Sequence, residues 1–161
     1  MITVYGSSLA ALRVCAEVKE RSPATRISVV TDDPYPPYDR PPLSKHLFGD
    51  FLRPLSATGL GNLAELADSV TIEHLSDFPE PTDHPIVLAL GSQPRRTIQG
   101  ARVLRTRDDA QELRRVIQDA VTIVGAGWIG CELAASCAAR GVEVTLLELS
   151  LIHISEPTRL L

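Results

Sequence analysis

The chain has 161 residues, 44% apolar and 22% charged, with a formal net charge of -4, a profile of a soluble globular protein of one domain that argues against disorder. An acidic balance lacks the basic footprint that phosphate backbones attract, so nucleic acid is not an expected partner. No apolar run reaches the roughly 18 residues that a spanning helix needs, and Met1 to Gly6 lacks the features of a signal peptide, so a cytoplasmic location without membrane contact is expected.

In chain order, residues 2–5 form a short β-rich run closed by Gly6, residues 8–21 carry Leu9, Leu12, Ala16 and Val18 at near-helical spacing, and residues 26–30 form a second strand. Together they predict a strand, helix, strand unit with parallel pairing. Prolines crowd residues 34–42 too densely for a helix or a ladder, which predicts an extended loop, with a short helix starting at residues 43–45. A helix over 62–67 and a strand over 70–72 follow, then a turn-rich connection marked by Pro79, Pro81 and Pro85. The continuous apolar run 86–90, closed by Gly91, predicts a strand buried on both faces. Residues 108–118 predict an amphipathic helix with Ala110, Leu113, Val116 and Ile117 inward, and residues 121–147 repeat the strand, helix, strand pattern.

The three cysteines, Cys15, Cys131 and Cys137, make no CxxC pair and read as reduced, buried, small apolar residues. His46, His74, His84 and His153 are scattered, and no metal site is expected.

Gly125-Ala126-Gly127-Trp128-Ile129-Gly130 is a full GxGxxG placed between a strand and a helix. The first glycine permits the turn, the second lets a pyrophosphate approach the backbone, and the third lets helix pack on strand. The helix N-terminus adds free N–H groups and the positive end of its dipole. Glu148 ends the next strand, where an acid accepts hydrogen bonds from the ribose and disfavours a 2'-phosphate. A bare glycine turn occurs in many α/β proteins; strand, helix, second strand and terminal acid together point to NADH, with Gly125, Gly127, Ile129, Gly130 and Glu148 as its contacts. Glu132 is the lone charge over residues 128–139, readable as a first-turn acid complementing the dipole.

In the first unit, Gly6-Ser7-Ser8-Leu9-Ala10-Ala11 keeps only the first glycine. Ser8 adds a side chain where a pyrophosphate would come close, and Ala11 is small enough for helix packing. Asp32 and Asp33 end the second strand, where they could hold a ribose or merely form a solvated turn.

Pro36-Pro37-Tyr38-Asp39-Arg40-Pro41-Pro42-Leu43-Ser44-Lys45 closely resembles the flavin loop of the ferredoxin reductase family. The resemblance continues through Ala89-Leu90-Gly91-Ser92-Gln93-Pro94-Arg95, residues 104–110 and residues 121–148. It implies an α/β, FAD/NAD(P)-binding Rossmann-like three-layer fold, present here in truncated form. Residues 1–98 would be part of an FAD-binding domain and residues 99–148 the first half of an NADH-binding domain. The flavin contacts implied are Gly6, Ser8, Ala10, Ala11, Asp32, Asp33, Arg40, Lys45, Gly91 and Arg95. Lys45 and Glu132 would be the catalytic pair, with Lys45 near the flavin N5 edge offsetting charge as hydride arrives. The implied activity is hydride transfer from NADH to FAD, then single electrons to a ferredoxin- or rubredoxin-type acceptor protein.

Related NADH oxidases and disulfide reductases place a redox cysteine in the flavin loop, and residues 38–45 contain none. The alternatives are a nucleotide-binding or regulatory module without turnover and, disfavoured by that cysteine-free loop, a related NADH oxidase or disulfide reductase. The sequence departs from the family at Ser7-Ser8, at Leu90 and Gln93, and in a shorter segment between Lys45 and Ile86. These departures predict weakened FAD binding. Residues 149–161 do not resemble the family's continuation and read as a translated sequencing adapter, or else as a divergent tail with Ser155 capping a short helix. The expectation is an incomplete, inactive piece of an enzyme.

Overall fold

A computed structural model of the protein describes residues 1–74 and 82–148. The expectations for Pro79, Pro81 and residues 149–161 lie outside the described residues. Two compact units emerge: Met1–Asp39 with Leu52–Gln93, and Arg40–Phe51 with the chain from Pro94 onward.

The first unit is built on four parallel strands in the order β5 (Ser69–Ile72), β2 (Ile27–Thr31), β1 (Ile2–Tyr5), β6 (Ile86–Leu88). Between β1 and β2 runs helix α1 (Leu9–Arg21), which buries Ala11, Leu12 and Cys15 and ends in Lys19 and Arg21, cations suited to the negative end of the helix dipole. Val4, Ala11, Leu12, Cys15, Ile27 and Val29 form the core with Leu55 and Leu63, the latter from helix α3 (Leu63–Leu66), whose Asn62 caps the Ala64 N–H. Asp68 accepts the Ile27 N–H at 2.7 Å and the Lys19 ammonium at 3.3 Å, so it holds the start of β2. That N–H, and then the nearby Lys19, holds its carboxyl below the usual range.

The proline-rich loop is not wholly irregular. Within it β3 (Tyr38–Asp39) pairs antiparallel with β4 (Arg53–Pro54), and the Leu55 N–H donates to Pro37 O at 2.9 Å. A proline lacks only the donor, so at a two-residue edge pair it can still offer its carbonyl. The run 86–90 is also corrected. Its strand stops at Leu88, and its residues alternate: Val87 and Ala89 pack on the core, while Leu88 and Leu90 are each 49% exposed. Among the described residues β6 ends the strand order with one face covered, and apolar composition does not say how many faces a strand buries.

In the second unit, β7 (Ala120–Val124) and β8 (Glu143–Leu147) pair in parallel, with helix α5 (Trp128–Ala138) between them in sequence. Helix α4 (Arg107–Val116) starts at a capping box in which Thr106 and Asp109 satisfy each other's backbone N–H groups. It buries Ala110 and Leu113, and Ile117 follows, whereas Val116 is exposed rather than inward. Helix α2 (Pro42–Lys45) packs on α5, and the residues after it are held by arginines. The Arg140 guanidinium lies 5.5 Å from the Phe48 ring centre, the Arg114 guanidinium lies 5.9 Å from that of Phe51, and Arg114 donates to Gly49 O at 3.2 Å.

Cys15 and Cys137 are buried as expected, but Cys131 is exposed, because it falls on the solvent side of the first turns of α5. Burial pushes the Cys15 thiol up to about 11 and raises Cys137 as well. Among the described residues no helix is long and apolar enough to cross a membrane.

Candidate functional site

The second glycine turn takes its shape from the strands on either side. Gly125 adopts φ +102° and donates its N–H to Leu147 O at 2.7 Å, extending the β7–β8 ladder by one bond. Gly127 is the extended N-cap of α5, and a Cβ there would meet no atom within 4 Å. Gly130 is different: a Cβ would collide with the Gly125 carbonyl oxygen, so helix and turn touch backbone to backbone. Glu148 folds back on the turn, its Oε2 accepting the Ala126 N–H at 2.7 Å. The start of α5 is open, with Trp128 88% exposed and Ile129 also exposed. Beside the turn lies a cavity of about 840 Å³, lined by Arg95, Ile98, Leu104, Val124, Gly127 and Trp128 among others.

The open space at Gly127, the free helix start and the terminal acid fit a dinucleotide pyrophosphate and ribose on physical grounds. Arg95, expected on the flavin side, lines the cavity of this unit.

Lys45 and Glu132, 87 positions apart, come together. Lys45 ends α2 and Glu132 lies in the second turn of α5, with Nζ 3.7 Å from Oε1. The lysine side chain is half exposed and the glutamate is about one quarter exposed. Glu132 has a second partner that the sequence reading missed: the Ser44 hydroxyl donates to Oε2 at 2.6 Å. Ser44 is buried, and its neighbour Lys45 offers its carbonyl to Ser136 at 3.4 Å. No pattern of spacing announced Ser44, because its partner is 88 residues away.

The first glycine turn has the same backbone. Gly6 adopts φ +111° and donates to Val30 O at 2.7 Å, and a Cβ on it would overlap the Ala89 carbonyl oxygen of the neighbouring chain segment. Ser8 caps α1 without a side-chain bond to it, Ala10 is exposed and Ala11 is fully buried. A buried hydroxyl pair, Ser7 Oγ to Thr31 Oγ1 at 2.8 Å, ties this turn to the end of β2, also unforeseen. Asp32 is exposed, whereas Asp33 accepts the Tyr35 N–H at 3.1 Å, in keeping with the turn-forming reading. Gly91 takes φ +71°, and Arg40 opens the segment that joins the second unit.

Residues 2–155 match the family described as pyridine nucleotide-disulphide oxidoreductase. The chain belongs to that family. Its parallel sheet and twin glycine turns are the α/β, Rossmann-like fold of FAD/NAD(P)-binding reductases. Within the pyridine nucleotide-disulphide oxidoreductases it is similar to the ferredoxin reductase component of chlorobenzene dioxygenase from Cupriavidus sp. (strain PS12), at 30% identity over 91% of this chain and 41% of the relative. It is also similar to the ferredoxin--NAD(+) reductase component of the p-cumate 2,3-dioxygenase system of Pseudomonas putida, at 32% identity over 91% of this chain and 42% of that one. The solved structure of Fdr9 superposes with a TM-score of 0.77 at 30% identity, covering 91% of this chain and 41% of its own. The chain thus spans about two fifths of the length of the curated relatives it matches. The chlorobenzene relative aligns over 172 residues, more than this chain contributes, so it carries residues that this chain lacks.

Proposed function

We propose that the whole protein passes hydride from NADH to FAD and then single electrons to a ferredoxin- or rubredoxin-type carrier, in the cytoplasm. The observation that carries this reading is the meeting of Lys45 and Glu132 at 3.7 Å, one at the end of α2 and the other in α5. The names of the relatives at 30% and 32% identity support the carrier and the nicotinamide, and the cysteine-free stretch 38–45 supports electron transfer over thiol chemistry.

When bound, FAD supplies two-electron acceptance and one-electron release, and the protein orients and tunes it. For NADH we assign Gly125, Gly127, Ile129 and Gly130 to the pyrophosphate side and Glu148 to the ribose. Residues 1–98 would serve the flavin through Gly6, Ser8, Ala10, Ala11, Asp32, Asp33, Arg40, Lys45, Gly91 and Arg95, and residues 99–148 the nicotinamide. The Lys45 ammonium would offset negative charge at the flavin edge, and Glu132 would hold that ammonium in place. Neither residue needs to act as a nucleophile.

The test is the full-length protein, purified and reconstituted with FAD. It is expected to be yellow, to bleach anaerobically with NADH, and to slow at least tenfold in flavin reduction on Lys45→Ala, in line with the loss of a positioned charge. The 161-residue chain alone is expected not to bleach. A full-length protein that stays colourless after reconstitution overturns the reading.

A further inference from the structure

We propose that Ser44 is a positioning residue that sets the orientation of the Glu132 carboxylate and, through it, of Lys45. The inference rests on the functional reading above, but its basis is the local geometry. Each oxygen of Glu132 has its own partner: Oε2 takes the Ser44 hydroxyl at 2.6 Å, and Oε1 faces the Lys45 ammonium at 3.7 Å. The two contacts are unequal. An ion pair at that separation with a half-exposed lysine is screened by water and contributes little, so it does not hold a carboxylate in one rotamer. A short hydroxyl-to-carboxylate bond is charge-assisted and directional.

The donor is itself fixed. Ser44 is 4% exposed within α2, and the Pro41 carbonyl oxygen, at 3.4 Å, is the longer of its two contacts, so its single proton goes to Glu132. Ser44 therefore locks the carboxylate plane, and Oε1 then presents a fixed acceptor to a half-exposed lysine. A hydroxyl one residue before the lysine, on the buried side of the same short helix, converts a weak surface pair into an oriented one. Orientation of this kind matters most where a charge must sit within a fraction of an ångström of a reacting group.

The experiment is a double-mutant cycle in the full-length enzyme, reading the rate of anaerobic flavin reduction by NADH and, separately, the thermal midpoint of the protein without flavin. Ser44→Ala is expected to slow flavin reduction about tenfold, Ser44→Thr to recover it to within about threefold, and Ser44→Ala to add nothing in a Glu132→Ala background. Ser44→Cys keeps the shape of the side chain, slightly enlarged, while weakening the donor, and it gives the same ordering if Ser44→Ala folds poorly. An equal slowing in both backgrounds, or full activity in Ser44→Ala, overturns the proposal. If the whole protein takes up no flavin, the functional reading fails instead, and the thermal cycle alone decides whether Ser44 and Glu132 are coupled. Additive thermal shifts then refute the coupling too.

Discussion

Gly6 and Gly125 stand at the same point of their strand, helix, strand units. Each has a positive φ and each donates to the last paired residue of the second strand, Val30 or Leu147, at 2.7 Å. The surroundings differ at every following position. In the first turn Ser7 is tied to Thr31 by a buried hydroxyl pair, Ser8 replaces the second glycine, and Ala11 carries a methyl where the helix meets the strand. In the second, the Ala126 backbone is tied to Glu148, Gly127 looks into open space, and Gly130 lies against the Gly125 carbonyl. Strand pairing imposes the turn, and the neighbours of each glycine differ: a Cβ on Gly6 would meet the Ala89 carbonyl oxygen, whereas one on Gly125 or Gly127 would meet no atom within 4 Å.

The third position gives the largest contrast. Gly130→Ala is expected to cost about 3 kcal/mol or more, because backbone must move to admit the methyl, whereas Ala11→Gly costs about 1 kcal/mol of helix propensity. Urea denaturation of the full-length protein measures both, and equal losses would remove the distinction between the two turns.

At the first position, Gly6→Ala combines a left-handed backbone with overlap on Ala89 O, while Gly125→Ala carries the backbone strain alone. The expected losses are about 2 to 4 kcal/mol and about 1 to 2 kcal/mol respectively, read from denaturant midpoints. A larger loss for Gly125→Ala would show that the second turn is the more crowded one.

The two ties are expected to differ as well. Ser7→Ala leaves the Thr31 hydroxyl buried and unpaired at about 1 to 3 kcal/mol, and adding Thr31→Val recovers most of that. In the second turn Glu148→Gln keeps an acceptor for the Ala126 N–H and should change stability by less than about 0.5 kcal/mol. Its effect is expected on NADH affinity, measured by titration, so that stability and binding separate between the turns.

The smallest effects lie in the thiols under and beside the turns. Cys131 is expected to react first with a maleimide at neutral pH and Cys15 last, as read by mass spectrometry. Burial raises the Cys15 thiol to about 11, so the folded state keeps a proton that an unfolded chain releases near 8.5. That contribution is present below the unfolded value and is lost as pH rises toward 11. Cys15→Ala should flatten the alkaline fall in stability, and a persistent slope would assign it to other groups.

Much of this was readable along the chain. Glycines at turns, helical spacing in 8–21 and the apolar strands of the second unit are local signals, set by backbone sterics and by the period of each element. The flavin-loop stretch carried Lys45, and its likeness to a family supplied Glu132 as partner. Other features were out of reach. The apolar letters of 86–90 do not record that, among the described residues, β6 pairs only with β1. Cys131 was read as buried because one residue's place around a helix depends on what packs there.

Local order thus follows from residue type and spacing, since the forces involved act within a few residues. The Ser44 bond to Glu132, the Ser7 bond to Thr31 and the hold of Glu148 on Ala126 join positions 88, 24 and 22 residues apart. Such pairs exist only after distant segments have been brought into contact, and nothing in either residue's own neighbourhood encodes the partner. For this protein the linear pattern was sufficient for the strands and turns of the two glycine-turn units and for the presence of a nucleotide-binding frame, though not for the β3–β4 pair within the proline loop. Which groups orient one another inside that frame was a matter of packing.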